Sequence, residues 1–222
     1  MHIKDIKENI PKELFDLFYK RFSELRPCQS KAISAGLLEG KNLVVCTPTA
    51  SGKTLVAELA CIKNILEKKK KAIYVVPLKA LGTEKFKDFN ERYSSLISVG
   101  VSTGDYDSAD SFLSEKDLII VTAEKMDSLI RHRASWIKNI GTIVIDEAHL
   151  INDASRGPTV EILITMLRTL LKDYQIIALS ATIGNPQELS SWLDAELVED
   201  DWRPVELKKG IIYQNKVTFY DG

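Results

Sequence analysis

Thr47-Pro-Thr-Ala-Ser-Gly-Lys53-Thr54 decides the fold, because of what stands on either side of it. Asn42-Leu-Val-Val-Cys46 before it is a short apolar run that reads as a buried strand. Leu55-Val-Ala-Glu-Leu-Ala-Cys-Ile-Lys-Asn-Ile-Leu66 after it carries apolar residues at helical spacing. Strand, glycine-bearing loop and helix together are the context of a phosphate-binding loop. In such a loop Thr47, Pro48, Thr49, Ala50, Ser51 and Gly52 wrap the phosphates, the backbone N–H groups of all but Pro48 and a helix N-terminus facing inward. Lys53 reaches the β and γ phosphates as a point charge, and the Thr54 hydroxyl ligates Mg²⁺. Gly52 has no Cβ to hold the backbone away. The usual pattern begins with Gly, where this chain has Thr47.

Gly-Lys-Thr at a helix start also arises by chance, so a second run carries weight. Thr142-Ile-Val-Ile145 reads as a strand that ends in Asp146-Glu147-Ala-His149. Acids at the carboxyl end of a strand lie where ligands bind in open α/β sheets. Asp146 can hold Mg²⁺, directly or through water, and Glu147 can orient and deprotonate an attacking water. The bland alternative is that the two acids only cap a helix starting near Ala148. A third run, Ser180-Ala-Thr182, follows a further apolar strand.

Composition bounds the rest. The 222 residues are 45% hydrophobic and 27% charged, which is ordinary globular composition and length enough for one large α/β domain. No apolar stretch approaches the ~20 residues of a membrane span, and Met-His-Ile-Lys-Asp lacks a signal-peptide core, so a cytoplasmic protein without membrane partners is expected. Cys28, Cys46 and Cys61 show no metal or disulfide spacing. With a net charge of −1, nucleic-acid contacts must come from a local patch. Lys68 to Lys71 reads as a solvated helix end rather than such a patch.

Strands are expected at Asn42–Cys46, Ala72–Val76, Ile97–Val101, Leu118–Thr122, Thr142–Ile145, Gln175–Leu179 and Leu197–Glu199, with helices between most of them. That alternation predicts an α/β fold: a mostly parallel sheet covered on both faces. Pro11–Phe22 and Pro27–Leu38 read as helices beside the nucleotide site. Val205–Leu207, Ile211–Gln214 and Val217–Tyr220 read as short extended pieces, either a small antiparallel sheet or an exit into another domain.

With these runs in order, the chain resembles the first RecA-like P-loop NTPase domain of superfamily 2 helicases. The resemblance is to the Ski-like branch, and most of all to the archaeal Hjm-type DNA helicases. Leu25-Arg-Pro-Cys-Gln29, Pro77-Leu-Lys-Ala-Leu-Gly-Thr-Glu-Lys85, Ser102-Thr-Gly-Asp-Tyr-Asp107, Thr122-Ala-Glu-Lys-Met-Asp-Ser-Leu-Ile-Arg131, Arg156-Gly157 and Asp201-Trp-Arg-Pro-Val205 carry it alongside the three runs above. The resemblance implies that Gln29 reads the adenine edge, with an amide suited to donate and accept. It implies that His149, Ser180 and Thr182 couple γ-phosphate state to strand contacts. Pro77, Lys79, Thr122 and Lys125, at two strand-to-helix junctions, would hold successive phosphates of one nucleic-acid strand, with Thr103, Gly104 and Arg156 as further contacts.

The organisation expected is a helical segment with the adenine motif at 1–40, the motor core at 41–201, and at 202–222 an exit toward a second RecA-like domain. Such a second domain supplies arginines worth about 10³ to 10⁵ in rate in related phosphoryl transfer, so slow turnover is expected of this stretch alone. ATP and Mg²⁺ are the implied cofactors. The implied activity is ATP-driven 3′ to 5′ translocation on single-stranded DNA, with unwinding of forked or branched duplexes in repair and recombination. An RNA helicase of the same branch, and a nucleotide-dependent nucleic-acid-binding module without turnover, are the alternatives. Both Asp146 and Glu147 are present, which argues against the second.

Overall fold

A computed structural model describes residues 1–104, 111–205, 208, 210–214 and 216–220. Asp105 to Asp107 of the Ser102–Asp107 motif, and Glu206 and Leu207 of the Val205–Leu207 piece, lie outside the described residues.

The strands are β1 (Leu43–Cys46), β2 (Lys71–Val76), β3 (Val99–Ser102), β4 (Leu118–Thr122), β5 (Ile140–Ile145), β6 (Gln175–Ser180) and β7 (Glu196–Glu199). They form one sheet in the order β3-β4-β2-β5-β6-β1-β7. Every pairing in it is parallel, with β1 set between β6 (Leu43 opposite Ile177) and β7 (Leu43 opposite Glu196). The helices are α1 (Lys12–Tyr19), α2 (Pro27–Ser34), α3 (Lys53–Lys68), α4 (Lys79–Tyr93), α5 (Ala123–Arg131), α6 (Gly157–Leu170) and α7 (Pro186–Leu193).

Alternate residues along each strand feed two separate cores. Leu43, Val45, Tyr74, Val76, Ile120 and Val144 pack with α1 to α4 on one face. Val44, Cys46, Ile73, Val75, Val121 and Ile145 pack with α5 to α7 on the other. Burial on both faces is why these strands read as continuous apolar runs rather than alternating ones. This is the α/β RecA-like architecture expected. No helix among the described residues is long and apolar enough to cross a membrane.

Some boundaries move for local reasons. β3 starts at Val99 rather than Ile97, because the Leu96 and Ile97 N–H groups still bond the Tyr93 carbonyl in the closing turn of α4. The lysine run is not simply solvated. Lys70 Nζ is bound to Asp173 at 2.8 Å, and Lys71 Nζ donates to the carbonyls of Ser114 and Lys116. Of the pieces beyond Trp202, β8 (Gly210–Tyr213) and β9 (Lys216–Phe219) pair as an antiparallel hairpin, the first of the two options. The three cysteines are buried free thiols.

Gly157 opens α6 and is buried. A Cβ there would stand 2.0 Å from the Ile151 carbonyl oxygen, which is backbone and cannot swing aside. Gly157→Ala is therefore expected to cost about 1–3 kcal/mol. Calorimetry should show a melting point lower by roughly 2–4 °C per kcal/mol for a domain of this size. An unchanged melting point would remove this reason for the glycine.

Candidate nucleotide and nucleic-acid site

A parallel sheet puts all its carboxyl ends on one edge, and the expected site segments other than Gln29 and Arg156 follow a strand there. The loop after β1 is the tightest. Its Thr47 N–H bonds the Ser180 carbonyl of β6 at 3.3 Å, and the Thr47 and Ser51 hydroxyls lie 2.7 Å apart in the buried interior of the loop. Ala50 and Gly52 take positive φ, 66° and 100°, to turn the chain into α3. Lys53 Nζ donates to the Thr47 carbonyl at 2.8 Å across the loop mouth. Burial pulls the Lys53 ammonium below its ordinary pKa, opposed by the nearby Glu147 and Asp146 carboxylates.

The start of α2 braces this loop from outside. Gln29 Nε2 donates to the Gly52 carbonyl at 3.1 Å while its Oε1 accepts from the Arg26 N–H at 2.8 Å. Arg26 Nη1 reaches the Ala50 carbonyl at 2.6 Å, and the Cys28 thiol donates to the Ser51 carbonyl at 3.2 Å. Burial raises that thiol's pKa, so it stays a donor. Gln29 is thus buried against the loop, with one amide hydrogen and one lone pair spent on protein and one of each left for another partner. Arg26 also lies over the Trp202 ring at 5.6 Å, bringing the stretch after β7 to the same place.

Asp146 and Glu147 follow β5. The Asp146 N–H continues the ladder to Val75, and Glu147 takes the left-handed conformation at φ 52°. Glu147 makes no side-chain cap on the short 3-10 helix Ala148–Asn152, which counts against the capping alternative. Its carboxylate is 39% exposed and lies 3.4 Å from His149 Nδ1. The same nitrogen is 3.4 Å from the Ala181 N–H. A single imidazole nitrogen can accept from that amide or, protonated, donate to the carboxylate, but not both at once. His149 therefore stands between the acid and the Ser180–Thr182 segment, where Ser180 is buried and Thr182 exposed.

Asp146 is held by groups the sequence reading gave no role. Tyr74 Oη, on neighbouring β2, donates to Asp146 Oδ2 at 3.0 Å, and the Glu147 N–H donates to Oδ1 at 3.1 Å. Burial, and then the adjacent carboxylate, push the Tyr74 hydroxyl well above its ordinary pKa, so it remains a donor. Lys85 Nζ on α4 lies 3.3 Å from Thr54 Oγ1 and 3.7 Å from Asp146 Oδ2. A cation between these two oxygens is the test that the pair suits Mg²⁺. Two protein oxygens also suffice, since Mg²⁺ takes one or two protein groups and completes its shell with phosphate and water. A signal for Lys85 did exist: Leu81, Lys85 and Phe89 share one helical stripe, and a lysine between two core-facing residues is out of place.

The nucleic-acid candidates collect on the other half of the edge. Pro77 and Lys79 follow β2, Thr103 and Gly104 follow β3, and Thr122 ends β4. Gly82 lets Thr103 sit against α4, since a Cβ there would be 2.6 Å from Thr103 Cγ2. Lys79, Gly104 and Arg156 are exposed. Lys125 departs from expectation: the residue is only 4% exposed, and its N–H is taken by the Thr122 hydroxyl at 3.3 Å, capping α5. The spacing that put it at a helix start did not reveal that this turn faces inward. One cleft is lined by Pro77, Ala123, Asp146, Glu147 and Arg156, so the two halves of the edge meet at Glu147.

A phosphate-type loop bonded beside an acid-ended strand, with a second row of strand ends alongside, defines a P-loop motor domain. The chain belongs to the DEAD/DEAH box helicase family, whose model matches residues 26–189. It is 50% identical over 215 residues to the ATP-dependent DNA helicase Hel308 of Pyrococcus abyssi, covering 96% of this chain and 30% of that protein. To Hel308 of Caldivirga maquilingensis it is 54% identical over 196 residues, covering 88% of this chain and 26% of that protein. The chain thus spans less than a third of the length of these relatives. Among solved structures it is similar to the Mycobacterium smegmatis helicase Lhr bound to single-stranded DNA and AMP-PNP (TM-score 0.75, 27% identity, 86% of this chain and 27% of that one). It is similar also to the DUF1998 helicase MrfA bound to DNA (TM-score 0.74, 27% identity, 87% of this chain and 30% of that one). The resemblance read from the motifs, to superfamily 2 and its archaeal DNA helicases, is borne out.

Tyr74→Phe removes one hydroxyl and leaves Asp146 short of a donor. It is expected to keep the fold and cost about 1.5–3 kcal/mol, as for a hydrogen bond to a charged group. Denaturant titration measures it, and a loss below a few tenths would mean the contact is dispensable.

Proposed function

We propose that this chain is the first motor domain of an ATP-dependent DNA helicase that translocates 3′ to 5′ on single-stranded DNA and unwinds forked or branched duplexes in repair and recombination. The observation that carries the reading is the single sheet edge, nucleotide candidates on β1, β5 and β6, nucleic-acid candidates on β2, β3 and β4, joined by the cleft at Glu147. The names of the relatives support DNA over RNA.

In this reading the loop N–H groups and the start of α3 bind the ATP phosphates, and Lys53 leaves the Thr47 carbonyl to meet them. Gln29 turns its remaining donor and acceptor to the adenine. Thr54 and Asp146 would hold Mg²⁺, which when bound would supply positive charge against the transferring phosphoryl group. Glu147 orients the attacking water and takes its proton, and its exposed carboxylate suits that contact. His149 relays the change at Glu147 to Ser180 and Thr182 through the Ala181 amide. Pro77, Lys79, Thr103, Gly104 and Arg156 grip the sugar-phosphate backbone, with Thr122 and Lys125, both buried, contributing through their position at the start of α5 rather than through exposed side chains. Residues 1–40 serve as the adenine-side segment, 41–201 as the motor core and 202–222 as the link to a second RecA-like domain of a cytoplasmic protein. That domain completes the ATP site, so turnover by this stretch alone is slow.

Steady-state ATP hydrolysis with Mg²⁺, alone and with matched single-stranded DNA or RNA, tests this. Glu147→Gln is expected to keep nucleotide binding and lose turnover by about 10²-fold or more. Loss of binding along with turnover would assign Glu147 to the fold instead. Lys79→Ala and Arg156→Ala should each lower single-strand affinity on every sequence and reduce the slope of log K against log salt by about 0.7. Unchanged slopes would move the strand path elsewhere.

A further inference from the structure

Lys85 is a charged group at the nucleotide site whose position the proposed mechanism does not use. Its ammonium lies 3.3 Å from Thr54 Oγ1 and 3.7 Å from Asp146 Oδ2, the two oxygens assigned to Mg²⁺. It rests 5.6 Å from the centre of the Tyr74 ring, and Tyr74 itself donates to Asp146. The side chain is 18% exposed, so the pair is shielded from full solvent screening. Lys53, the loop's own lysine, is turned to the Thr47 carbonyl instead.

We infer that Lys85 is an internal cation of the magnesium pocket, which holds Thr54 and Asp146 until a magnesium nucleotide displaces it. The inference rests on the assignment of those two residues to Mg²⁺. Mg²⁺ at these two oxygens would take up the lone pairs the ammonium now faces, and the two cations would repel each other at so short a distance. Lys85 therefore competes with the metal, and its release is part of nucleotide binding. The competition also reaches the strand path. Lys85 belongs to α4, whose first turn carries Lys79 and packs against Thr103 through Gly82. Filling the metal pocket frees the α4 side chain that ties this helix to β5.

The test is retention of a fluorescent, non-hydrolysable ATP analogue as free Mg²⁺ is raised, for wild type, Lys85→Met and Lys85→Arg. Lys85→Met is expected to lower the free Mg²⁺ for half-maximal retention roughly fivefold, equivalent to about 1 kcal/mol, the scale of a partly exposed ion pair. Without nucleotide the same variant should melt earlier than wild type, and Lys85→Arg should restore both values toward wild type. Should Lys85→Met melt too early to titrate, Lys85→Gln, which keeps a donor for Thr54 without the charge, must give the same downward shift. An unchanged or raised Mg²⁺ requirement, with wild type still dependent on Mg²⁺, overturns the competition and makes Lys85 a support of the site. Retention by wild type that ignores Mg²⁺ altogether overturns the assignment of Thr54 and Asp146, and this inference with it.

Discussion

Parallel pairing is the constraint on which the rest of this structure depends. Strands that all run one way need crossovers, the crossovers become helices on both faces, and the carboxyl ends gather on one edge. At that edge the ladder stops and helices begin, so unpaired N–H groups and positive dipole ends point into solvent together. An anionic ligand is the natural partner for such an edge. In the proposed reading it serves two of them, because the strand order sets β1, β5 and β6 apart from β4, β3 and the start of α4. Asp146 and Glu147, just after β5, lie at the border between the two sets.

Much of this was legible in the chain because its signals are local. The loop Thr47–Thr54, the acids at the end of β5 and the strand-to-helix junction at Pro77 are each contiguous, and backbone geometry follows from a few neighbouring residues. What was not legible depends on which strands are neighbours. That Tyr74 reaches Asp146 follows from β2 lying beside β5, although some 70 residues separate them, a pairing no periodicity encodes. The burial of Lys125 has the same origin, since a helix start reads alike whether its turn faces solvent or the second core. The end of α4 shows a milder case, where one more turn of hydrogen bonding delayed β3 by two residues.

The candidate site also spends polar groups on itself. Gln29, Arg26, Cys28 and Lys53 all bond loop carbonyls, and Tyr74 and Lys85 both bond or pair with Asp146. The buried ones, such as the Cys28 bond to the Ser51 carbonyl, satisfy polar atoms that would otherwise lack a partner, at a cost of about 1–3 kcal/mol apiece, while the Arg26 bond to Ala50 is exposed. A site built this way is held in one shape by contacts that a charged ligand can replace one for one. Exchange of partners, rather than creation of new ones, lets such a pocket bind phosphate without first losing its order.

The place of β1 in the sheet bears on how the molecule comes into being. The strand that carries the phosphate loop pairs only with β6 and β7, the last strands of the sheet in the chain. During synthesis β1 emerges early and then waits, its edges bare, until nearly the whole domain has followed. Closing so long a loop is slow, and the Thr47 amide cannot find the Ser180 carbonyl before β6 is made. The nucleotide loop is thus among the last parts of the domain to acquire its native support. A nascent chain cannot present a finished loop before its late strands arrive, which delays nucleotide capture until the sheet is closed.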